Sequence, residues 1–82
     1  MPKFKRLDEV SFTLKGHKLY AIVKGSQPTN VDGDNTFIYE LVLVQPIKTS
    51  IITYFEVQCI EEDLTLEKFP LEAATREPLV ID

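Results

Sequence analysis

Apolar and polar residues alternate along most of the first 60 positions, which is the period of a half-buried β-strand rather than that of a helix. VSFTLK, residues 10–15, shows the alternation most clearly, and the Gly16–His17 pair predicts a tight turn after it. KLYAIVKG, residues 18–25, resumes as a second strand. Both faces of this strand are apolar, and the pattern leaves open which one points inward: Leu19, Ala21 and Val23, or Tyr20 and Ile22.

The middle of the chain predicts two more strands. SQPTNVDGDNT, residues 26–36, reads as a loop because it is rich in Pro, Asn, Asp and Gly. FIYELVLVQ, residues 37–45, is apolar on both faces except at Glu40, as in a central strand, and Pro46 is expected to end it. IITYFEVQCI, residues 51–60, is the fourth strand. Four strands with short connections predict an antiparallel meander that curls over one small core.

The last third of the chain has no single period. Asp63 or Thr65 is expected to cap one helical turn, and Pro70 to begin a second short helix that Pro78 ends. Residues 76–82 are predicted as a closing edge strand or a tail, and residues 1–8 as a flexible start to a single β domain spanning residues 1–82. The predicted core consists of Val10, Phe12, Leu14, Ile22, Leu41, Leu43, Phe55, Val57, Cys59 and Leu64.

Composition points to a soluble globular domain, with 44% apolar and 27% charged residues. No apolar run approaches the roughly 18 residues needed to cross a bilayer, and the basic start lacks the apolar segment of a secretory signal. A single cysteine fits a reducing cytosol, so we expect a cytoplasmic protein that does not bind membranes. The net charge of −4 is concentrated in residues 42–82, which disfavours nonspecific binding to nucleic acid.

Candidate chemistry is sparse. Cys59 and His17 are the only thiol and imidazole, but Cys59 falls on an apolar strand face and His17 in a predicted turn. Zinc would need more ligands than these two. The Asp32-Gly33 pair predicts a turn, because an EF-hand loop has its glycine at position six and a glutamate at twelve. Glu61–Asp63 are consecutive and do not face one another as an acid–base pair would. We therefore expect no catalytic residues, no metal and no cofactor.

Two groups of residues are candidates for binding. Tyr20, Tyr39 and Tyr54 lie on three different predicted strands and could form an aromatic patch that binds peptides or stacks bases. The structural alternative is that each ring is buried and each hydroxyl reaches water. The second group is the acidic rim formed by Glu61, Glu62 and Asp63.

The order of these features resembles a set of small uncharacterised proteins of Gram-positive bacteria and their phages. The likeness covers roughly residues 10–75 and rests on LYAI, YELVLV, ITYFEV and EEDLTLEKFPLEAA. In that group an SH3-like barrel is followed by an acidic element and a short helix. The resemblance implies that fold and a phage or prophage setting, and it implies no catalytic residue. The chain departs from the group at Gly16–His17, where Gly-Asp is usual.

The expected fold is therefore mainly β: a small curled antiparallel sheet or SH3-like barrel with one or two short C-terminal helical turns. The expected function is non-catalytic recognition of a protein partner by the tyrosines and the acidic rim. One alternative is an acidic inhibitor of a nucleic-acid-binding host protein. Another is a barrel that binds RNA or single-stranded DNA through Lys3, Lys5, Arg6, Lys15, Lys18 and Lys24. A homodimer could form through an exposed edge of FIYELVLVQ or of LVID.

Overall fold

The computed structural model describes residues 1–81 and has a mainly β fold, as predicted. Its strands are β1 Glu9–Leu14, β2 His17–Val31, β3 Asp34–Lys48, β4 Thr53–Ile60, β5 Thr65–Leu66 and β6 Leu79–Val80. The first five form an antiparallel sheet in the order β4-β3-β2-β1-β5, and β6 pairs in parallel with the end of β3. The sheet curls but does not close on itself, because β4 and β5, at the two ends of this order, are not paired.

Two tight turns set the hairpins. Lys15 and Gly16 have φ of 49° and 81°, and Asp32 and Gly33 have φ of 52° and 89°. Positive φ at both central residues is the pattern of a turn whose twist matches that of the flanking strands. The first turn therefore lies one residue earlier than predicted, and His17 already belongs to β2.

The predicted loop at residues 26–36 is wrong. Most of it belongs to β2 and β3, which form a long hairpin with only Asp32 and Gly33 between them. Asn30 pairs with Asn35 in the ladder, and the two side chains are joined by a hydrogen bond of 3.1 Å. The composition of this segment resembles that of a loop because this part of the hairpin is largely exposed, and exposed strand residues can be polar.

Pro46 does not end the third strand, which continues to Lys48. Pairing between β3 and β4 is interrupted between Val42 and Ile47, and Pro46 lies within this bulge. A proline there removes no ladder hydrogen bond, which explains why the strand tolerates it. Beyond the bulge, Ile47 pairs with β4 on one side and with β6 on the other.

Half of the predicted core is confirmed. Val10, Phe12, Leu41, Leu43 and Leu64 are buried, and Val57 and Cys59 are partly buried against them. The predictions for Leu14, Ile22 and Phe55 are wrong. Leu14 is 37% exposed at the end of β1, and Phe55 is 63% exposed opposite the β3 bulge. Ile22 is half-buried, since it pairs with Glu9 on the outer face while its neighbours Ala21 and Val23 face the core. The core also contains Phe4, Leu19, Ala21, Val23, Tyr39, Ile47 and Ile81.

The C-terminal segment pairs first with β1, through β5, and then with β3, through β6. Glu67 donates its backbone N–H to the carbonyl of Glu9 at 3.0 Å, and its carboxylate accepts bonds from Ser11 and Lys18, both at 2.8 Å. Within the segment predicted as an edge strand or a tail, Leu79–Val80 form β6 and Ile81 is buried, whereas Asp82 lies outside the described residues.

The two predicted helical turns are both short 3₁₀ turns, at Glu61–Asp63 and Leu71–Ala73. The cap expected for the first turn is wrong: Asp63 is the last residue of that turn, and Thr65 lies in β5. Pro70 immediately precedes the second turn, which ends well before Pro78.

Candidate functional site

Tyr39, one of the three candidate tyrosines, is part of the core. Its side chain is fully buried, and its ring packs edge-on against Phe4 with centroids 5.4 Å apart. The hydroxyl donates a hydrogen bond of 2.5 Å to Oε1 of Glu61 and accepts one of 3.1 Å from the backbone N–H of Phe4. The expectation that Tyr39 belongs to an exposed patch is therefore wrong, and its role is to hold the N-terminal segment to the sheet.

Two carboxylates of the acidic rim, those of Glu61 and Glu62, form hydrogen bonds to other parts of the chain. Oε1 of Glu61 also accepts the backbone N–H of Lys3 at 2.7 Å. The bonds from Tyr39 and Lys3 lower the pKa of Glu61, whereas burial and the bond to Glu61 raise the pKa of Tyr39. Glu62 accepts a hydrogen bond of 2.6 Å from the hydroxyl of Thr36. Two of the three candidate acids thus tie the 3₁₀ turn to β3 and to the N-terminus.

The other two tyrosines lie apart from Tyr39. Tyr20 is half-buried on the outer face of β2, with Nζ of Lys18 5.6 Å from the centre of its ring. Tyr54 is 43% exposed near the start of β4, where it pairs with Ile47. Because Tyr39 is inside the sheet, the three do not make one continuous surface.

The geometry of Cys59 does not favour nucleophilic chemistry. Burial, with a smaller contribution from the charge of Asp63, raises the pKa of Cys59 to about 11. Cys59 pairs with Tyr39, which pairs with Ser26 of β2, whereas His17 is exposed at the start of that strand, nine residues before Ser26. The thiol and the imidazole are therefore not brought together. Among residues 1–81, no group of three or more His, Cys, Asp or Glu side chains is placed to hold a metal ion.

The most distinctive surface is an apolar tip, formed by Ile51, Ile52, Tyr54 and Phe55 where β3 turns into β4. Ile51 is 92% exposed, Ile52 51% and Phe55 63%. Exposed apolar side chains that lie close together are candidates for a binding surface, and these four fall within five consecutive residues. The sequence pattern did contain the signal, because four of five consecutive residues here are large and apolar, but it was interpreted as a strand with a buried face.

The turn that carries this tip is held by its own hydrogen bonds. The hydroxyl of Thr49 accepts the backbone N–H of Ile51 at 3.3 Å and that of Ile52 at 3.1 Å. The backbone N–H of Thr49 donates to the carbonyl of Ile52 at 2.9 Å. Side-chain bonds of this kind define a turn locally, so the two isoleucines project from an ordered backbone.

No protein family model, curated protein or solved structure matches this chain. Within residues 1–81 there is also no helix with the length and apolar character needed to cross a bilayer.

Proposed function

We propose that this protein is a non-catalytic protein-interaction module and that its apolar tip is the contact surface. The observation that carries the proposal is the exposure of four large apolar side chains on one hydrogen-bonded turn and the strand that follows it. Removing such a surface from water contributes about 25 cal/mol per Å² of apolar area. A partner that covers the tip would therefore gain a favourable hydrophobic contribution.

The order of the turn adds to this gain. Binding costs conformational entropy when loops and side chains must be fixed in place, and that cost is smaller when the backbone is already held. Thr49 fixes the backbone of this turn, because its hydroxyl and its backbone N–H both form hydrogen bonds within the turn. Ile51 and Ile52 therefore behave as preorganised anchors.

The bacterial or phage setting and the cytoplasmic location belong to the same proposal. Their support is the resemblance described above, in which an SH3-like barrel is followed by an acidic element and a short helix. In this chain, a curled sheet is followed by one 3₁₀ turn at Glu61–Asp63 and another at Leu71–Ala73. That order is compatible with the proposed relationship.

The two nucleic-acid alternatives have weaker support. An acidic inhibitor would present free carboxylates, but those of Glu61 and Glu62 are bonded within the chain. A nucleic-acid-binding surface would present free cations, but two of the six cations named for it are paired within the chain: Lys18 with Glu67 at 2.8 Å and Lys24 with Glu56 at 3.2 Å. Both observations favour the apolar tip as the contact surface.

The test compares capture by wild-type protein with capture by an Ile51→Ser/Ile52→Ser variant. Tagged protein is incubated with lysate of the source organism, and bound proteins are quantified by mass spectrometry. The matched control is Leu71→Ser, which alters a side chain that is 86% exposed outside the tip. We expect the double variant to lose a specific partner by at least about tenfold and the control to retain it. Equal capture by the double variant and the wild type would rule out the tip as the contact surface.

A further inference from the structure

The outer edge of β4 lacks a partner strand. β4 is the terminal strand of the sheet, and residues 53–60 pair only with β3 among the residues that the structure describes. The strand has eight residues, whereas β5 at the other end of the sheet has two. An exposed edge of this length presents a row of free N–H and C=O groups that can template another strand.

β4 also lacks the features that usually protect an edge. Exposed edge strands are commonly blunted by lysine, by proline or by inward-pointing charges. Residues 53–60 contain no lysine, arginine or proline, and their only charged residue is Glu56, which Lys24 pairs at 3.2 Å. The edges expected from the sequence are less suitable: β3 is paired on both sides, and β6 has only two residues.

From these observations we infer that the free edge of β4 pairs with β4 of a second copy of this chain, giving a two-fold symmetric dimer with a continuous sheet. This inference goes beyond the proposed function, because it names a defined partner and assigns the backbone edge of β4, although Tyr54 and Phe55 belong both to β4 and to the apolar tip. It rests on the edge residues of β4, whereas the proposed function rests chiefly on Ile51 and Ile52.

The sequence of β4 favours a second copy as the occupant, because the strand is complementary to itself. In an antiparallel pair centred on Val57, Glu56 lies opposite Gln58 of the other copy, so no like charges face each other directly. Phe55 lies opposite Cys59 in the same arrangement, and Tyr54 lies opposite Ile60. The exposed ring of Phe55 and the half-buried side chains of Val57 and Cys59 thereby join one apolar face.

The expected dimer is weak. Pairing of two eight-residue strands with their side chains buries on the order of 1,000 Å² in total, near the lower limit for a specific interface. Each chain carries a net charge of −4, so repulsion opposes association and added salt should strengthen it. Ile51 and Ile52 lie before the paired residues, so the dimer carries two copies of this part of the apolar tip.

Sedimentation velocity over about 10 to 500 μM protein, at low and high salt, tests the inference. We expect wild-type protein to pass from the 9.4 kDa monomer to a dimer over this range. Gln58→Glu places a carboxylate opposite Glu56 of the partner, twice per dimer, and should raise the dissociation constant by about tenfold. Gln58→Lys should lower it. Gln27→Glu is the control of equal charge, at an exposed position on β2 that faces Ile38.

A monomer at every concentration would overturn the inference, as would equal dissociation constants for Gln58→Glu and Gln27→Glu. Gln58 is exposed, so its replacement should leave the core intact. Thermal unfolding of each variant verifies that it is folded. The Ile51→Ser/Ile52→Ser variant should dimerise normally. If the Ile51→Ser/Ile52→Ser variant captures the partner as well as the wild type does, the proposed function fails and the dimer is unaffected. If Gln58→Glu dimerises as well as Gln27→Glu does, the dimer inference fails and the proposed function is unaffected.

Discussion

Replacing Tyr39 with phenylalanine removes one hydroxyl and leaves the packing of the ring unchanged. In the wild type this hydroxyl donates to Glu61 at 2.5 Å and accepts the buried N–H of Phe4 at 3.1 Å. The variant leaves the N–H of Phe4 without an acceptor and takes one donor from the carboxylate. A buried group left unsatisfied costs about 1–3 kcal/mol, so we expect a loss of about 2 kcal/mol in the free energy of unfolding.

That loss is large for a domain of this size. Domains have stabilities of roughly 0.05–0.15 kcal/mol per residue, and about 1 kcal/mol shifts Tm by roughly 4–8 °C in a chain of 60–100 residues. Urea denaturation followed by circular dichroism measures the change, together with a thermal scan. We expect Tm to fall by roughly 10 °C.

Two further variants separate the hydrogen bonds from general effects of the substitution. Tyr54→Phe removes a hydroxyl from a ring that is 43% exposed, and it should alter stability by less than about 0.5 kcal/mol. Glu61→Gln keeps an oxygen that can accept the bond from Tyr39 but removes the charge, so it should cost less than Tyr39→Phe. If Tyr39→Phe were no more destabilising than Tyr54→Phe, the reasoning about the buried hydroxyl would be refuted.

Other expected outcomes follow from the same structure. Phe4→Ala should cost about 3–5 kcal/mol in urea denaturation, because Phe4 is 2% exposed; a loss below 1 kcal/mol would mean that the N-terminal segment is not part of the core. Cys59 should react with maleimide at pH 8 roughly 100-fold more slowly in native protein than in urea, since burial raises its pKa to about 11; equal rates would contradict its placement. The pKa of Glu61 is lowered in the fold, so its contribution to stability is present above its unfolded value near 4.3 and is lost as the pH falls. Wild-type protein should therefore lose more stability between pH 5 and pH 3 than Glu61→Gln, and parallel profiles would exclude this contribution. Lys15→Asn should stabilise the first hairpin by a few tenths of a kcal/mol, because asparagine tolerates the φ of 49° better than lysine; no gain in Tm would argue against the turn conformation.

The candidate site was predictable only in part. Tyr54 was selected from the sequence and lies in the apolar tip, but Ile51, Ile52 and Phe55 were assigned to an ordinary strand. Ile51 and Ile52 lie in the connection between β3 and β4, and Phe55 lies opposite the bulge in β3, which interrupts the pairing where Phe55 would otherwise face Leu43. A bulge of this kind depends on the pairing of two strands and has no reliable signal in the residues of one of them.

Tyr39 illustrates the opposite error. Its position in a strand made it a reasonable candidate for the surface, because tyrosine often lies between core and solvent. Its hydroxyl is buried because Phe4 and Glu61 cover it from distant parts of the chain. Neither partner could be assigned to Tyr39 from local sequence.

Alternation along the chain was sufficient to determine a mainly β protein with one small core, and glycine-containing pairs were sufficient to place two turns to within a residue. Alternation gives each strand two faces, but it does not say which face other segments cover. The tertiary structure determines which face is covered: Phe4 and Ile81 pack into the core, and the carboxylate of Glu67 accepts hydrogen bonds from Ser11 of β1 and Lys18 of β2. Burial depends on which distant segments meet, so Leu19 is in the core while Ile51, an aliphatic residue of the same size, is on the surface.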